Sequence, residues 1–165
     1  MSFTKLEMLT NRIRTNEHPF TNEEKQNLLQ LATWLEKTKL PQGTGYLRTK
    51  ILENPNRTGA FCAWGIYAWY KKEGLWARDR LSLDAYLFAL NDEINDEVLP
   101  ERYLHETGAL KFVPGAQRTI QFNIVFMNDS QGYTFDEIAL EIRHLVEHND
   151  WTEETRFKLY DHGEL

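Results

Sequence analysis

The sequence has a single cysteine among its 165 residues. One thiol excludes a disulfide within the chain and a metal cage built from several cysteines. No stretch approaches the roughly 18 consecutive apolar residues that a membrane-spanning helix requires. The first residues, Met1 to Lys5, show neither the apolar core nor the cleavage pattern of a secretory signal. We therefore expect a cytoplasmic protein that does not associate with membranes.

Basic residues are outnumbered, with 19 Lys and Arg against 25 Asp and Glu and a net charge of −6. This balance disfavours a general nucleic-acid binder, whose affinity depends on neutralising phosphates. Residues 1–82 carry 13 basic and 8 acidic side chains, whereas residues 83–165 carry 6 and 17. The imbalance favours two halves that attract each other within one domain. The alternatives are a basic surface that binds an anionic partner, and copies that pair head to tail.

Length and composition predict one folded domain over residues 1–165. We expect a mainly α fold of five or six helices, with a polar lead-in over 1–20 and a short C-terminal helix or tail over 150–165. Two capping boxes mark helix starts: Thr21 with Glu24, and Thr134 with Glu137. Both are followed by apolar residues at helical spacing.

Turn residues between two short extended segments predict a small β-hairpin near residues 46–61. Ser82 is a candidate N-cap, and we predict that a helix follows it to about Ile94. Its apolar face would comprise Leu83, Tyr86, Leu87, Leu90 and Ile94. The apolar residues of 118–127 fit a strand and a helix equally well by period.

Residues 62–72 are predicted to form the central helix. The segment is apolar on nearly every side, which is typical of a helix at the buried centre of its domain. Gly65 lies inside it and costs about 1 kcal/mol against alanine, so we expect another backbone to pack closely there. Lys71 and Lys72, followed by Gly74, are typical of a helix C-terminus.

Two short motifs carry a family resemblance: Cys62-Ala63-Trp64-Gly65-Ile66 and Asn128-Asp129-Ser130-Gln131-Gly132-Tyr133-Thr134. Together they resemble an uncharacterised family of small bacterial and phage domains, domain of unknown function 6197. Its members show Cys-x-x-Gly-Ala at a helix start, then Trp-Asn-Asp-x-x-Gly-x-Thr. The resemblance covers roughly residues 28–147; Ile66 and Met127 depart from the pattern. It implies a helical, phage-borne or bacterial domain and brings no known activity, cofactor or substrate.

Cys62 is the one candidate thiol nucleophile. At a helix N-terminus, backbone amides would lower its pKa, and His105 or His144 could act as base with Asn128 or Asp129 orienting the ring. The alternative is a buried cysteine that packs as a small apolar residue. No local protease-type signature surrounds these residues, so we predict no catalytic site.

Three further groups of polar residues are candidates for a site. Asn128 and Asp129 could bind a ligand, or could hydrogen-bond nearby backbone and shape the turn, which is the usual behaviour of these residue types. The acidic residues of 91–97 lack the glycine and spacing of an EF-hand loop. His144 and His148 have helical spacing, but the glutamate between them is not where a His-Glu-x-x-His site needs it. We predict no metal and no cofactor.

The best candidate binding surface is the aromatic and basic segment at the end of the central helix and just after it. It comprises Trp76, Arg78 and Arg80, with Lys71 and Lys72 beside them. We expect a non-catalytic binding module that engages a host or phage protein or a small anionic ligand, and interference with a host defence or regulatory system is an extension. The alternatives are a small Cys62-dependent hydrolase or transferase, and a structural or assembly protein that forms homo-oligomers.

Overall fold

The computed structural model describes residues 20–50, 58–78, 81–82 and 84–160. Within these ranges it contains six helices: α1 (Asn22–Lys37), α2 (Ala63–Lys71), α3 (Glu101–Glu106), α4 (Ile120–Asp129), α5 (Phe135–His148) and α6 (Glu153–Tyr160). It also contains five strands: β1 (Arg48–Thr49), β2 (Ala60–Phe61), β3 (Leu75–Arg78), β4 (Tyr86–Leu90) and β5 (Glu93–Asn95). The fold is mixed, with a helical majority.

The helix α2 lies at the centre of the core, as predicted. Its residues from Ala63 to Ala68 are all buried. The helix α1 packs most extensively against α5 and also contacts α2. Both predicted capping boxes are present, so α1 starts after Thr21 and α5 after Thr134. These helices follow from local sequence signals that agree with their packing.

Gly65 allows a close backbone contact between α2 and the segment before β1. A Cβ atom at this position would collide with the carbonyl oxygen of Leu47. The same carbonyl accepts a hydrogen bond from the Cys62 N–H at 3.3 Å. The predicted close approach is confirmed, and it holds the loop of residues 42–47 across the N-terminus of α2.

The strands form two small antiparallel sheets. β1 pairs with β2 in the register Arg48↔Phe61, which confirms the hairpin predicted near residues 46–61. β3, β4 and β5 form a second sheet in that order. The bridge Thr49↔Ala85 and a hydrogen bond from the Lys50 N–H to the Asp84 carbonyl at 2.8 Å connect the segments of the two sheets.

The prediction of a helix from Ser82 to Ile94 is wrong, because this segment forms β4 and β5. Phe88 and Leu90 are buried at a spacing of two, as in a strand with one covered face. Asn91 has a left-handed backbone (φ 55°) and opens the two-residue loop that joins the strands. Ile94, assigned to the buried face of the helix, is 64% exposed. Leu83 lies outside the described residues.

Other boundaries are settled by the structure. Residues 120–129 are helical, as α4, and Thr119 caps this helix. The left-handed C-cap of α2 is Lys72 (φ 56°), while Gly74 follows it and lies against Phe88. The predicted lead-in falls almost entirely outside the described residues. Among the helices of the described ranges, none combines the length and apolarity that a membrane span would need.

Candidate functional site

Asn128, at the end of α4, connects three distant segments of the chain. Its Oδ1 accepts hydrogen bonds from the backbone N–H of Ala63 at 3.2 Å and from Gln42 Nε2 at 2.9 Å. Its Nδ2 donates to the carbonyl of Gly43 at 2.8 Å and to Asp129 Oδ1 at 2.7 Å. The side chain is 3% exposed, so these bonds satisfy an amide that burial would otherwise penalise.

Gln42 and Asp129 extend this network on either side of Asn128. Gln42 donates to the carbonyl of Tyr133 at 2.7 Å and accepts from the N–H of Phe135 at 3.1 Å. Asp129 Oδ2 accepts from the N–H of Gly45 at 3.1 Å. The network joins both motifs of the family resemblance to the loop of residues 42–45. Asn128 and Asp129 thus bond to backbone of distant segments rather than only to their own turn.

Cys62 is the N-cap of α2, where its Sγ accepts a hydrogen bond from the Gly65 N–H at 3.4 Å. Burial raises the pKa of this thiol to about 12, and the Asp129 carboxylate also raises it. These effects outweigh the backbone hydrogen bonds, which lower the pKa. Burial thus outweighs the lowering of the pKa that a helix N-terminus would give, which favours the alternative of a buried, protonated thiol at neutral pH.

A cleft of about 290 Å³ opens beside this network, and we call it the Asn128 cleft. Its floor is apolar, formed by Trp64, Ile124 and Val125, and its polar lining includes Glu97 and Asp129. Trp64 is held by a hydrogen bond from its Nε1 to the carbonyl of Gln121 at 3.2 Å. The described residues that line the cleft include no histidine. Neither His105 nor His144 is therefore among the residues that could act as a base for Cys62 in this cleft.

A second cleft, of about 480 Å³, lies between the β4–β5 hairpin and α3; we call it the Leu110 cleft. Val98 lines both clefts, so the two adjoin. Apolar side chains exposed along this surface are Ile94 (64%), Val98 (37%), Leu110 (38%) and Phe122 (46%). Sequence reasoning missed this surface, because its apolar residues were assigned to a helix face, to a connection, or to a segment of undecided structure.

The predicted aromatic and basic surface is used largely within the protein. Trp76 is partly buried and its ring lies 4.7 Å from that of Phe88, centroid to centroid. Lys71 lies within 3.6 Å of both Glu73 and Glu106. Arg78 and Lys72 are exposed, and neither forms a salt bridge with another described residue. Arg80 lies outside the described residues.

Arg48 occupies the centre of the aromatic cluster, a role that no sequence signal indicated. Its guanidinium carbon lies 3.9 Å from the ring centroid of Tyr86 and 5.1–5.5 Å from those of Phe61, Trp69 and Trp76. Its Nε donates to the carbonyl of Thr58 at 2.7 Å. Burial lowers the pKa of Arg48 from its ordinary value, but an arginine remains charged at neutral pH. The protein's own cation therefore occupies this aromatic cluster.

The histidines proposed as bases lie in other surroundings. His105 pairs with Glu101 at 3.6 Å on α3 and is largely exposed. His144 Nδ1 lies 2.9 Å from the carbonyl of Asp150, and its ring is tilted by 42° to that of His148, with centroids 4.4 Å apart. Across the described residues, no group of three His, Cys, Asp or Glu side chains is placed to hold a metal ion.

Comparisons with models of protein families, with curated proteins and with solved structures found no match to this chain. The family resemblance of the two motifs therefore stays a prediction. What the structure adds is that the two motifs meet: Asn128 of one motif binds the backbone of Ala63 in the other at 3.2 Å.

Proposed function

We propose that this protein is a non-catalytic binding module that holds a protein partner on the surface formed by the Asn128 and Leu110 clefts. The observation that carries the proposal is the shared wall of the two clefts, where Val98 lies among exposed Ile94, Leu110 and Phe122. Contiguous exposed apolar side chains next to concave surface are typical of sites that bind proteins or ligands.

A Cys62-dependent hydrolase or transferase has less support. The reactive form of a cysteine is the thiolate, and burial raises the pKa of Cys62 to about 12. Its Sγ also accepts a hydrogen bond from the Gly65 N–H within the capping turn. Both observations favour a structural role for this side chain.

A small anionic ligand is also less well supported than a protein. The lining of the two clefts carries Glu97, Asp129 and further carboxylates, which would repel an anion. At the predicted aromatic and basic surface, Lys71 is already paired with carboxylates and Arg48 fills the aromatic cluster. A phage or bacterial origin and interference with a host system remain proposals that depend on the motif resemblance.

Native mass spectrometry of the protein isolated from the cells that encode it tests this proposal. We expect a complex with another protein that the variant Ile94→Ser loses. Phe157→Ser is the matched control, because Phe157 is also 64% exposed but lies on α6. A complex that survives Ile94→Ser, or a protein that carries no partner, would count against the proposal. Homo-oligomers alone would favour the assembly protein.

A further inference from the structure

The surface of the two clefts is acidic as well as apolar. Its lining includes five carboxylates, Asp92, Glu93, Glu97, Glu101 and Asp129, and the described lining residues include no lysine or arginine. All five belong to the half of the chain with 17 acidic and 6 basic residues. The charge is therefore concentrated at the clefts and continues the negative character of that half.

Three of these carboxylates have roles within the protein. Glu93 accepts hydrogen bonds from the Glu101 N–H, the shorter at 2.9 Å, and Glu101 lies 3.6 Å from His105. Asp129 accepts from Gly45 and Asn128. Asp92 is exposed and Glu97 is exposed, and the side chain of neither bonds to another described residue. These two charges are the ones that a partner can pair without breaking an internal bond.

Arg118 contacts one residue of the cleft lining, Phe122. The guanidinium carbon of Arg118 lies 4.5 Å from the ring centroid of Phe122, at the edge of the Asn128 cleft. It covers one face of that ring and has a further interaction of its own.

We propose that the partner's binding segment is cationic and amphipathic, with two apolar side chains in the adjoining clefts and Lys or Arg residues facing Asp92 and Glu97. This inference rests on the proposed function and names the chemistry of its partner. Apolar anchors provide the affinity in the clefts, since burial of large side chains dominates most interfaces. The carboxylates select partners by charge and speed association, because complementary charges steer the encounter.

Selection of binders from a surface-displayed random peptide library against the wild-type protein tests this inference. We expect the enriched peptides to carry net positive charge together with two large apolar residues. Their Kd should rise on the order of tenfold in the double variant Asp92→Asn/Glu97→Gln, and by at least as much in Ile94→Ser. Added salt should weaken binding to the wild type more than to the double variant.

Two matched controls keep the outcome clear. Asp136→Asn/Glu147→Gln removes the same amount of negative charge from α5, and Phe157→Ser removes an equally exposed apolar side chain from α6. Neither should change the Kd of the selected peptides. Thermal unfolding of each variant shows whether the fold is intact.

Neutral or acidic peptides that lose binding in Ile94→Ser would overturn the cationic partner while leaving the proposed function in place. Peptides that bind the cleft variants as tightly as the controls, or no enrichment at all, would overturn this inference. A self-associated protein that Ile94→Ser converts to monomer would instead assign the clefts to a second copy of the chain, and would also overturn it.

Discussion

Cys62 shows how one residue can carry a reactive group and still serve the fold. The position at a helix N-terminus would favour the thiolate, but the desolvation of a buried thiol is the larger effect and raises its pKa to about 12. Because deprotonation is unfavourable inside the folded protein, the thiol acts as a capping acceptor for the Gly65 N–H. The residue type alone could not decide between these two outcomes.

We expect iodoacetamide to alkylate native Cys62 at least about a hundredfold more slowly than the urea-unfolded chain at mildly alkaline pH, because the thiolate is the reacting species. Mass spectrometry of timed samples measures both rates. The folded pKa lies above the unfolded one, so the associated stability is complete below about 9 and is lost as pH rises toward 12. Fast alkylation of the native protein would contradict the assigned role.

Asn128 offers a second test at this scale. Replacing it with alanine leaves the buried N–H of Ala63 and the partly buried carbonyl of Gly43 without this partner. We expect Asn128→Ala to lower the free energy of unfolding by about 3 kcal/mol, since each unsatisfied buried group costs about 1–3 kcal/mol. Urea denaturation measures the loss.

Asn123→Ala is the matched control, because Asn123 lies on the same helix and is 4% exposed, but its Nδ2 has no partner among the described residues. Its replacement should cost about 1 kcal/mol, in line with an average substitution. Equal losses in the two variants would show that the Asn128 network contributes little beyond packing.

At the scale of elements, the contact between α2 and the strand region depends on Gly65. Helix propensity alone predicts that alanine here would stabilise the protein by about 1 kcal/mol. We expect the opposite sign for Gly65→Ala, a loss of about 2 kcal/mol or more, because the added Cβ collides with the Leu47 carbonyl. The midpoint of urea denaturation decides the sign, and a stabilised variant would show that this backbone contact is loose.

The helices α1 and α5 are joined at their surface by an ion pair. Arg143 donates to both carboxylate oxygens of Glu36, at 2.9 and 2.6 Å, and also to Thr33 Oγ1 at 3.1 Å. The hydrogen bond from Arg143 is the main cause that lowers the pKa of Glu36. A lowered pKa in the folded state means that this stabilisation is present above the ordinary carboxyl pKa and is lost as pH falls through the folded value.

We therefore expect Glu36→Gln to destabilise the protein near neutral pH by only about 0.5–1 kcal/mol, because both side chains are more than a third exposed and solvent screens them. The difference from wild type should disappear in acid, as measured by thermal unfolding across pH. Glu147→Gln is the control, since Glu147 is exposed and its contact with His148 is long, at 3.9 Å. A loss that persists at low pH would point to packing instead of charge.

The elements predicted correctly are those whose signals are local. Thr21 and Thr134 cap helices whose apolar periodicity agrees with their burial, so neighbouring residues are sufficient to identify α1 and α5. The β4–β5 hairpin was missed because its apolar residues also fit a helical spacing. The pairing of β4 with β3 makes this segment a strand and not a helix. This pairing is a contact between separate segments, which a local sequence pattern does not contain.

The candidate site was also predictable only where its signals are local. The two motifs could be identified from sequence, but their meeting through Asn128 joins residues 65 positions apart. The exposure of Ile94 could not be predicted once its segment had been assigned to a helix. A surface of this kind appears only when strand pairing decides which apolar residues stay outside the core.

At the scale of the whole molecule, the structure shows where the acidic and basic residues of the two halves of the sequence lie. The acidic half contributes the five carboxylates of the cleft lining, whereas the basic residues Arg48 and Lys71 are used inside the aromatic cluster and its adjoining ion pairs. The expectation that the halves attract each other is thus compatible with a surface that stays acidic. Such a surface favours cationic partners and disfavours nucleic acid.

Photo-crosslinking in the cells that encode the protein tests the central claim most directly. A photoreactive amino acid placed at Ile94 should give a light-dependent adduct with another protein, because this side chain is exposed beside the Leu110 cleft. The same amino acid at Leu140, which is 63% exposed on α5, should give no such adduct. Equal adducts from both positions, or an adduct from Leu140 alone, would contradict a binding module that works through the two clefts.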